Sequence, residues 1–181
     1  ESCSFLPGFA RGVAAATLVG QYLGAGSPAL ARSVIVRCTS IAGVIMGVAG
    51  VCFCLFPRAI VGLISSQPTH LELAPKLLFI TGLVQIPFAV SNVLRSALRG
   101  AGDVKAVMWI IWISTYGVRL PLAYVLSGVD IPLPSGRVIH NPFMSEASLP
   151  MLWVALCAEI VIRGVLCVAR FWQGHWASAR V

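Results

Sequence analysis

Residues 74–105 read APKLLFITGLVQIPFAVSNVLRSALRGAGDVK. Between Lys76 and Arg95 there is no charged residue, and no acidic residue follows until Asp103. As a helix, residues 76–99 span roughly 36 Å at about 1.5 Å per residue, enough to cross a bilayer with some tilt. Pro87 sits near the middle, where a membrane helix re-satisfies the freed carbonyl through its neighbours. Gln85, Phe88, Asn92, Arg95 and Arg99 recur at steps of three or four and share one face. That stripe is polar at mid-depth and basic at its end, the pattern of a helix lining water or another helix. Ser91 adds a hydroxyl beside it.

Composition agrees with a membrane location. The chain is 58% hydrophobic and 10% charged, with a mean hydropathy of +0.90, whereas about 25% charged is usual for soluble domains. The net charge of +7 comes from thirteen basic residues set singly between apolar runs. With no basic patch or arm, they read as loop anchors on the positive-inside rule rather than a nucleic-acid footprint. Of the six cysteines, all but Cys3 lie in apolar runs and behave as small hydrophobes. A disulfide framework is not expected, and Cys52-Phe53-Cys54 does not have metal-ligand spacing.

The expected fold is an all-α membrane protein with five transmembrane helices, at about 4–24, 29–56, 75–99, 104–126 and 150–172. The first is rich in Ala and Gly, with Gly8/Gly12 and Gly20/Gly24 at a spacing that lets helices approach closely. Its Arg11 either snorkels to the interface or faces a cavity. The second carries Arg32 and Arg37 near its start. A short amphipathic segment, 59–64, and a polar loop containing His70 precede the central helix. In the fourth, Trp109, Trp112, Tyr116, Arg119 and Ala123 share a face. They form either a stripe for a flat substrate or an interfacial aromatic belt, and Pro121 is expected to kink the helix. Residues 127–149 form a polar surface loop or re-entrant flap, in which Asp130, His140 and Glu146 fit no metal-ligand pattern. In the fifth, Glu159 and Arg163 are four apart and deep in the apolar run, so they can pair. An ionisable residue at that depth is a functional candidate by default, and a structural pin is the equal alternative.

Several of these stretches resemble the multidrug and toxic compound extrusion (MATE) transporters. They are the LRGAGD turn at 98–103 after a kinked apolar helix, GQYLGAG at 20–26 before an Ala-containing helix start, Arg119-Leu120-Pro121, and the closing Arg170-Phe171-x-x-Gly174-x-Trp176. The resemblance covers nearly the whole chain. It implies the last five helices of a twelve-helix protein built from two six-helix lobes, so that an N-terminal lobe of the same protein is the expected partner. Glu1 in place of Met and the absence of a secretory pattern fit a piece of a longer chain.

The resemblance further implies a secondary antiporter that exports organic, cationic or aromatic, compounds in exchange for H⁺ or Na⁺ by alternating access. No cofactor and no nucleic acid are implied. The implied substrate pathway runs past Gln85, Ser91, Asn92, Arg95, Tyr116 and Arg119, with Glu159 and Arg163 as an ion-coupling or structural pair. Some members carry a cation-site carboxylate in the helix that ends in LRGxxD. Here that helix has none, and Phe88 stands near the corresponding place. The coupling carboxylate then belongs either to the N-terminal lobe or to Glu159.

Counting seven basic residues on one side against three on the other puts the C-terminus in the cytoplasm of a plasma (bacterial inner) membrane. Other classes stay open. A lipid-linked oligosaccharide flippase would gather Arg11, Arg119 and Arg163 in one cavity. A scaffold needs no polar stripe. An enzyme needs a nucleophile–base pair or metal cluster at depth, and no span holds a His or paired carboxylates.

Overall fold

A computed structural model describes residues 2–64, 67–128, 130–132, 138–139 and 149–178. The helices are α1 (Ser2–Gly24), α2 (Pro28–Leu55), α3 (Pro57–Ile64), α4 (Pro68–Gly100), α5 (Val104–Trp112), α6 (Leu120–Ser127) and α7 (Leu149–Gln173). Ile113–Arg119 joins α5 to α6 as a π-helix, and His175–Ser178 closes the described chain as one 3₁₀ turn. Two-residue strands β1 (Ile131–Pro132) and β2 (Val138–Ile139) pair antiparallel, Ile131 opposite Ile139. Of the expected loop 127–149, residues 129, 133–137 and 140–148, with His140 and Glu146, lie outside the described residues.

The central element is α4, on which α1, α2, α3 and α7 all pack. Its buried stripe mixes Ala89, Val93, Ala97 and Leu98 with Thr81, Gln85, Ser91 and Asn92. The outer surface carries Phe9, Val44, Val48, Leu83, Val165 and other exposed large apolar residues. Buried polar groups inside an apolar exterior are the reverse of a water-soluble bundle and suit a lipid solvent.

Four stretches are long and apolar enough to cross a membrane: Pro28–Leu55, Leu71–Gly100, Val104–Ser127 and Leu149–Gln173. By that criterion the described residues give four spans where five were expected. The remaining helix, α1, has the length to cross, with 23 residues, and the side chains of its first turn lie outside the described residues. It still packs along α2 and α4 as part of the same bundle. The central helix starts earlier than expected, at Pro68, because proline suits the first helical turn; the segment containing His70 is therefore helix rather than loop.

Glycines set the spacing between helices. A Cβ on Gly50 would stand 2.6 Å from the Gly82 carbonyl oxygen, and one on Gly100 would stand 2.3 Å from that of Ala16. At these points α2 and α1 touch α4 backbone to backbone, the close approach that small residues permit in lipid. Gly8 and Gly12 are used in the same way, against Met46 and Ser96, while Gly24 faces open space. The small-residue spacing in α1 thus serves packing inside the bundle at Gly8 and Gly12.

Pro121 acts differently from a simple kink. A proline clashes with the carbonyl four residues before it, here that of Gly117. The chain widens ahead of it into seven residues of π-helix, where the Leu120 N–H donates to the Thr115 carbonyl. Wide turns of this kind re-aim the side chains around them.

Candidate functional site

A cavity of about 240 Å³ opens where α4, α7 and the π-helix meet. Thr81, Gln85 and Phe88 of α4 recur at helical spacing and form one wall, as the sequence periodicity requires. The facing wall is the α7 stripe Trp153, Glu159 and Arg163, and Arg119 enters from the end of the π-helix. Phe5 of α1 stacks on Phe88, ring centroids 4.4 Å apart. Trp153 is held by its indole N–H, which donates to Thr81 Oγ1 at 2.8 Å, and the Thr81 hydroxyl donates to the Leu77 carbonyl.

The carboxylate of Glu159 is buried, 1% exposed. Arg163 Nε donates to its Oε1 at 2.7 Å, and Nη2 donates to the same oxygen. These residues lie one turn apart, close to the middle of α7. Pairing there removes most of the cost of two separate charges at mid-bilayer depth. Both members of the pair line the cavity with Gln85.

Five of the residues singled out from sequence, Gln85, Phe88, Arg119, Glu159 and Arg163, thus come together on one cavity. The others lie elsewhere. Asn92 is covered by α1: a Cβ on Gly12 would stand 3.4 Å from its carbonyl oxygen, and one on Gly8 would stand 4.0 Å from its side-chain nitrogen. Its Oδ1 accepts from Arg95 Nη2 at 2.8 Å, so it positions that arginine. Ser91 is buried where Gly164 brings α7 against α4. The glycines of α1 and α7 close the helix packing around these positions and leave the opening further back along the stripe. Tyr116 is exposed and packs on Trp112, centroids 5.3 Å apart, on the outside of the π-helix. The π-helix breaks the shared face expected from α-helical spacing, turning Arg119 to the cavity while Trp109, Trp112 and Tyr116 face outward.

Sequence reading missed Thr81, Trp153 and Phe5. Thr81 was within reach, since it lies four residues before Gln85 on the same face. Trp153 and Phe5 carry no such signal. Arg11 is exposed and does not line this cavity. Of the three arginines that would mark a flippase, Arg119 and Arg163 converge and Arg11 does not. Among the described residues there is no group of three His, Cys, Asp or Glu placed to hold a metal.

A second structural unit lies at the other end of α4. The LRGAGD turn closes with Gly102 at φ +86°, and the Asp103 N–H donates to the Leu98 carbonyl at 3.0 Å. The carboxylate of Asp103 accepts from Arg170 Nε at 2.7 Å and from Nη2 at 3.2 Å. Trp176 Nε1 donates to the Phe171 carbonyl at 2.9 Å, the two rings stack at 5.5 Å, and the Arg32 guanidinium lies 5.8 Å from the Phe171 centroid. This clasp ties α2, the α4–α5 turn, α7 and the 3₁₀ turn together.

A multi-pass helical bundle with an apolar exterior, a charged pair midway along one helix and a glycine-closed clasp at one end is the build of an integral multi-pass membrane protein. The sequence profile of the MatE family matches residues 1–125, and the chain belongs to that family. It is 29% identical over its full length to "Probable multidrug resistance protein NorM" of Thermotoga maritima, covering 36% of that protein. It is 31% identical over 94% of its length to "Multidrug resistance protein NorM" of Burkholderia vietnamiensis, covering 35% of it. It is 26% identical over 88% of its length to "Uncharacterized transporter YisQ" of Bacillus subtilis, covering 32% of it. The chain spans about a third of the length of these curated relatives. The family profile stops before α7, but the similarity to the Thermotoga protein includes it.

Proposed function

We propose that this chain forms the C-terminal lobe of a secondary active transporter, the eighth to twelfth of twelve helices, that exports small organic compounds in exchange for H⁺ or Na⁺. The observation that carries the reading is the cavity between α4, α7 and the π-helix, with Gln85, Arg119 and the Glu159–Arg163 pair on its walls. A largely apolar cavity carrying a few polar and charged side chains, in a chain of the MatE family, supports passage of a solute rather than a scaffold role. The reading includes no catalytic step.

In this scheme the lobe rocks against a partner lobe of the same protein around the cavity. Arg163 occupies the one carboxylate on the cavity wall, so the ion-coupling carboxylate is assigned to the N-terminal lobe. The clasp at Asp103–Arg170 faces the cytoplasm of a plasma membrane, because Arg32, Arg37, Arg99, Lys105 and Arg170 cluster at that end. The Arg11 position disfavours the flippase alternative.

The test is transport by the full-length protein in inverted membrane vesicles, with a panel of fluorescent dyes supplied outside under an imposed H⁺ or Na⁺ gradient. Gradient-dependent dye uptake that Gln85→Leu reduces several-fold at unchanged protein level is the expected result. Uptake insensitive to both gradients, or to Gln85→Leu, refutes the reading.

A further inference from the structure

The cavity walls hold two arginines and one glutamate, a formal sum of +1. Arg163 is neutralised by Glu159. Arg119 reaches the cavity from the opposite side, on the π-helix, and among the described residues it has no ion-pair or hydrogen-bond partner. The apolar lining is aromatic at the stacked Phe5–Phe88 pair and at Trp153, pinned by Thr81, and aliphatic at Val84, Leu156 and Ile160.

We propose that this cavity takes the acidic end of an aromatic compound, a carboxylate or sulfonate carried on one or two rings, with Arg119 as its counter-charge. Arg119 is exposed at the mouth of the cavity with its charge unpaired, so an incoming anion meets a free guanidinium beside an aromatic wall. The planar fork of arginine matches a carboxylate with two parallel bonds. A cationic ligand meets the opposite situation: the single acid is already occupied, and the remaining charge repels it. At about 240 Å³ the cavity is smaller than the roughly 300–1,000 Å³ of sites that enclose a whole ligand, so it houses one end of the compound. The proposal rests on the transporter reading for the fate of the compound, and it replaces the cationic class implied by family resemblance.

The test measures binding, not transport. Purified full-length protein in detergent is titrated with 2-naphthoate, 2-naphthol and 2-naphthylmethylammonium, three ligands of one size and three charges. Naphthoate is expected to bind at least about tenfold tighter than the ammonium compound, the scale of one charge-assisted bond. Arg119→Gln should erase that preference and Arg119→Lys should keep part of it. Glu159→Gln, by freeing Arg163, should tighten naphthoate several-fold. Equal affinity for the three ligands, tighter binding of the cation, no binding of any, or a preference unchanged in Arg119→Gln each overturns the proposal. So does displacement of naphthoate by dodecyl phosphate at tenfold lower concentration, which assigns the site to a lipid. Naphthoate binding without gradient-driven export counts against the transporter reading alone.

Discussion

Removing the carboxylate of Glu159 leaves Arg163 inside the bundle without a counter-charge. In the native chain Arg163 gives two hydrogen bonds to one oxygen of Glu159, and the side chains are 2% and 16% exposed for the acid and the base. Breaking a buried pair from one side costs about 3–5 kcal/mol, because the remaining ion keeps its desolvation penalty. An arginine at the centre of a membrane helix costs about 2.5–3.5 kcal/mol on insertion scales, consistent with that range. The opening of the cavity lets Arg163 reach some water, so Glu159→Ala belongs at the lower end, about 3 kcal/mol. Arg163→Met leaves the more deeply buried partner charged and should cost as much or more. The double variant Glu159→Leu/Arg163→Met should recover most of the loss, since an apolar pair of similar volume is often neutral. The assay is a double-mutant cycle on the full-length protein with Glu159→Leu and Arg163→Met as its single variants, read as unfolding free energy from SDS titration, with coupling of about 5 kcal/mol expected from single losses of about 3 kcal/mol each and a double loss of about 1 kcal/mol. Single variants that each cost under about 1 kcal/mol and add without coupling would refute the claim that each buried charge depends on the other.

Gly50→Ala places a methyl group 2.6 Å from the Gly82 carbonyl oxygen and should destabilise by about 1–3 kcal/mol through forced separation of α2 and α4. Gly43→Ala, on the same helix with nothing within 4 Å of the added carbon, should be neutral or stabilising by up to about 1 kcal/mol; thermal midpoints of the two variants in one detergent decide it. Gly102→Ala forces a side chain to φ +86° and should cost about 1–2 kcal/mol. A midpoint unchanged in that variant would mean that the α4–α5 turn relaxes freely.

The spanning helices were legible from the apolar runs, because a bilayer fixes a minimum length and forbids unpaired backbone. The Glu159–Arg163 pairing was legible too, because spacing of four on a helix allows few other arrangements. The stripe on α4 was read as one lining surface, yet only its Gln85 and Phe88 portion borders the cavity. Periodicity reports which side of a helix is polar, not how closely the neighbouring helix approaches at each level. That distance is set by Gly8, Gly12 and Gly164 on other elements. Tyr116 and Arg119 were placed on one face by α-helical geometry, and the π-helix before Pro121 separated them. Local steric relief at one proline decided the direction of both side chains.

The stretches that identify the family and the residues that line the cavity are mostly different residues, for a physical reason. Gly24-Ala25-Gly26-Ser27 and Gly100-Ala101-Gly102-Asp103 close helices in the same way, each with a left-handed glycine at its third position, Gly26 at φ +70° and Gly102 at φ +86°. In each turn the fourth residue's N–H returns to a carbonyl five residues back, Ser27 to Tyr22 and Asp103 to Leu98. Such helix ends tolerate few other residues, which makes the stretch recognisable. Asp103 starts the next helix without capping it by its side chain, and its carboxylate is spent on Arg170 instead. The closing Arg-Phe-x-x-Gly-x-Trp supplies the other half of the same clasp. The Arg-x-Pro element is the exception. Its proline imposes the wide turn, and the same turn delivers Arg119 to the cavity, so a single element joins a family signature to ligand chemistry. Glu159, Arg163, Gln85 and Trp153 are under no comparable backbone constraint. Their replacement leaves the clasp, the close crossings and the wide turn to hold the bundle in place.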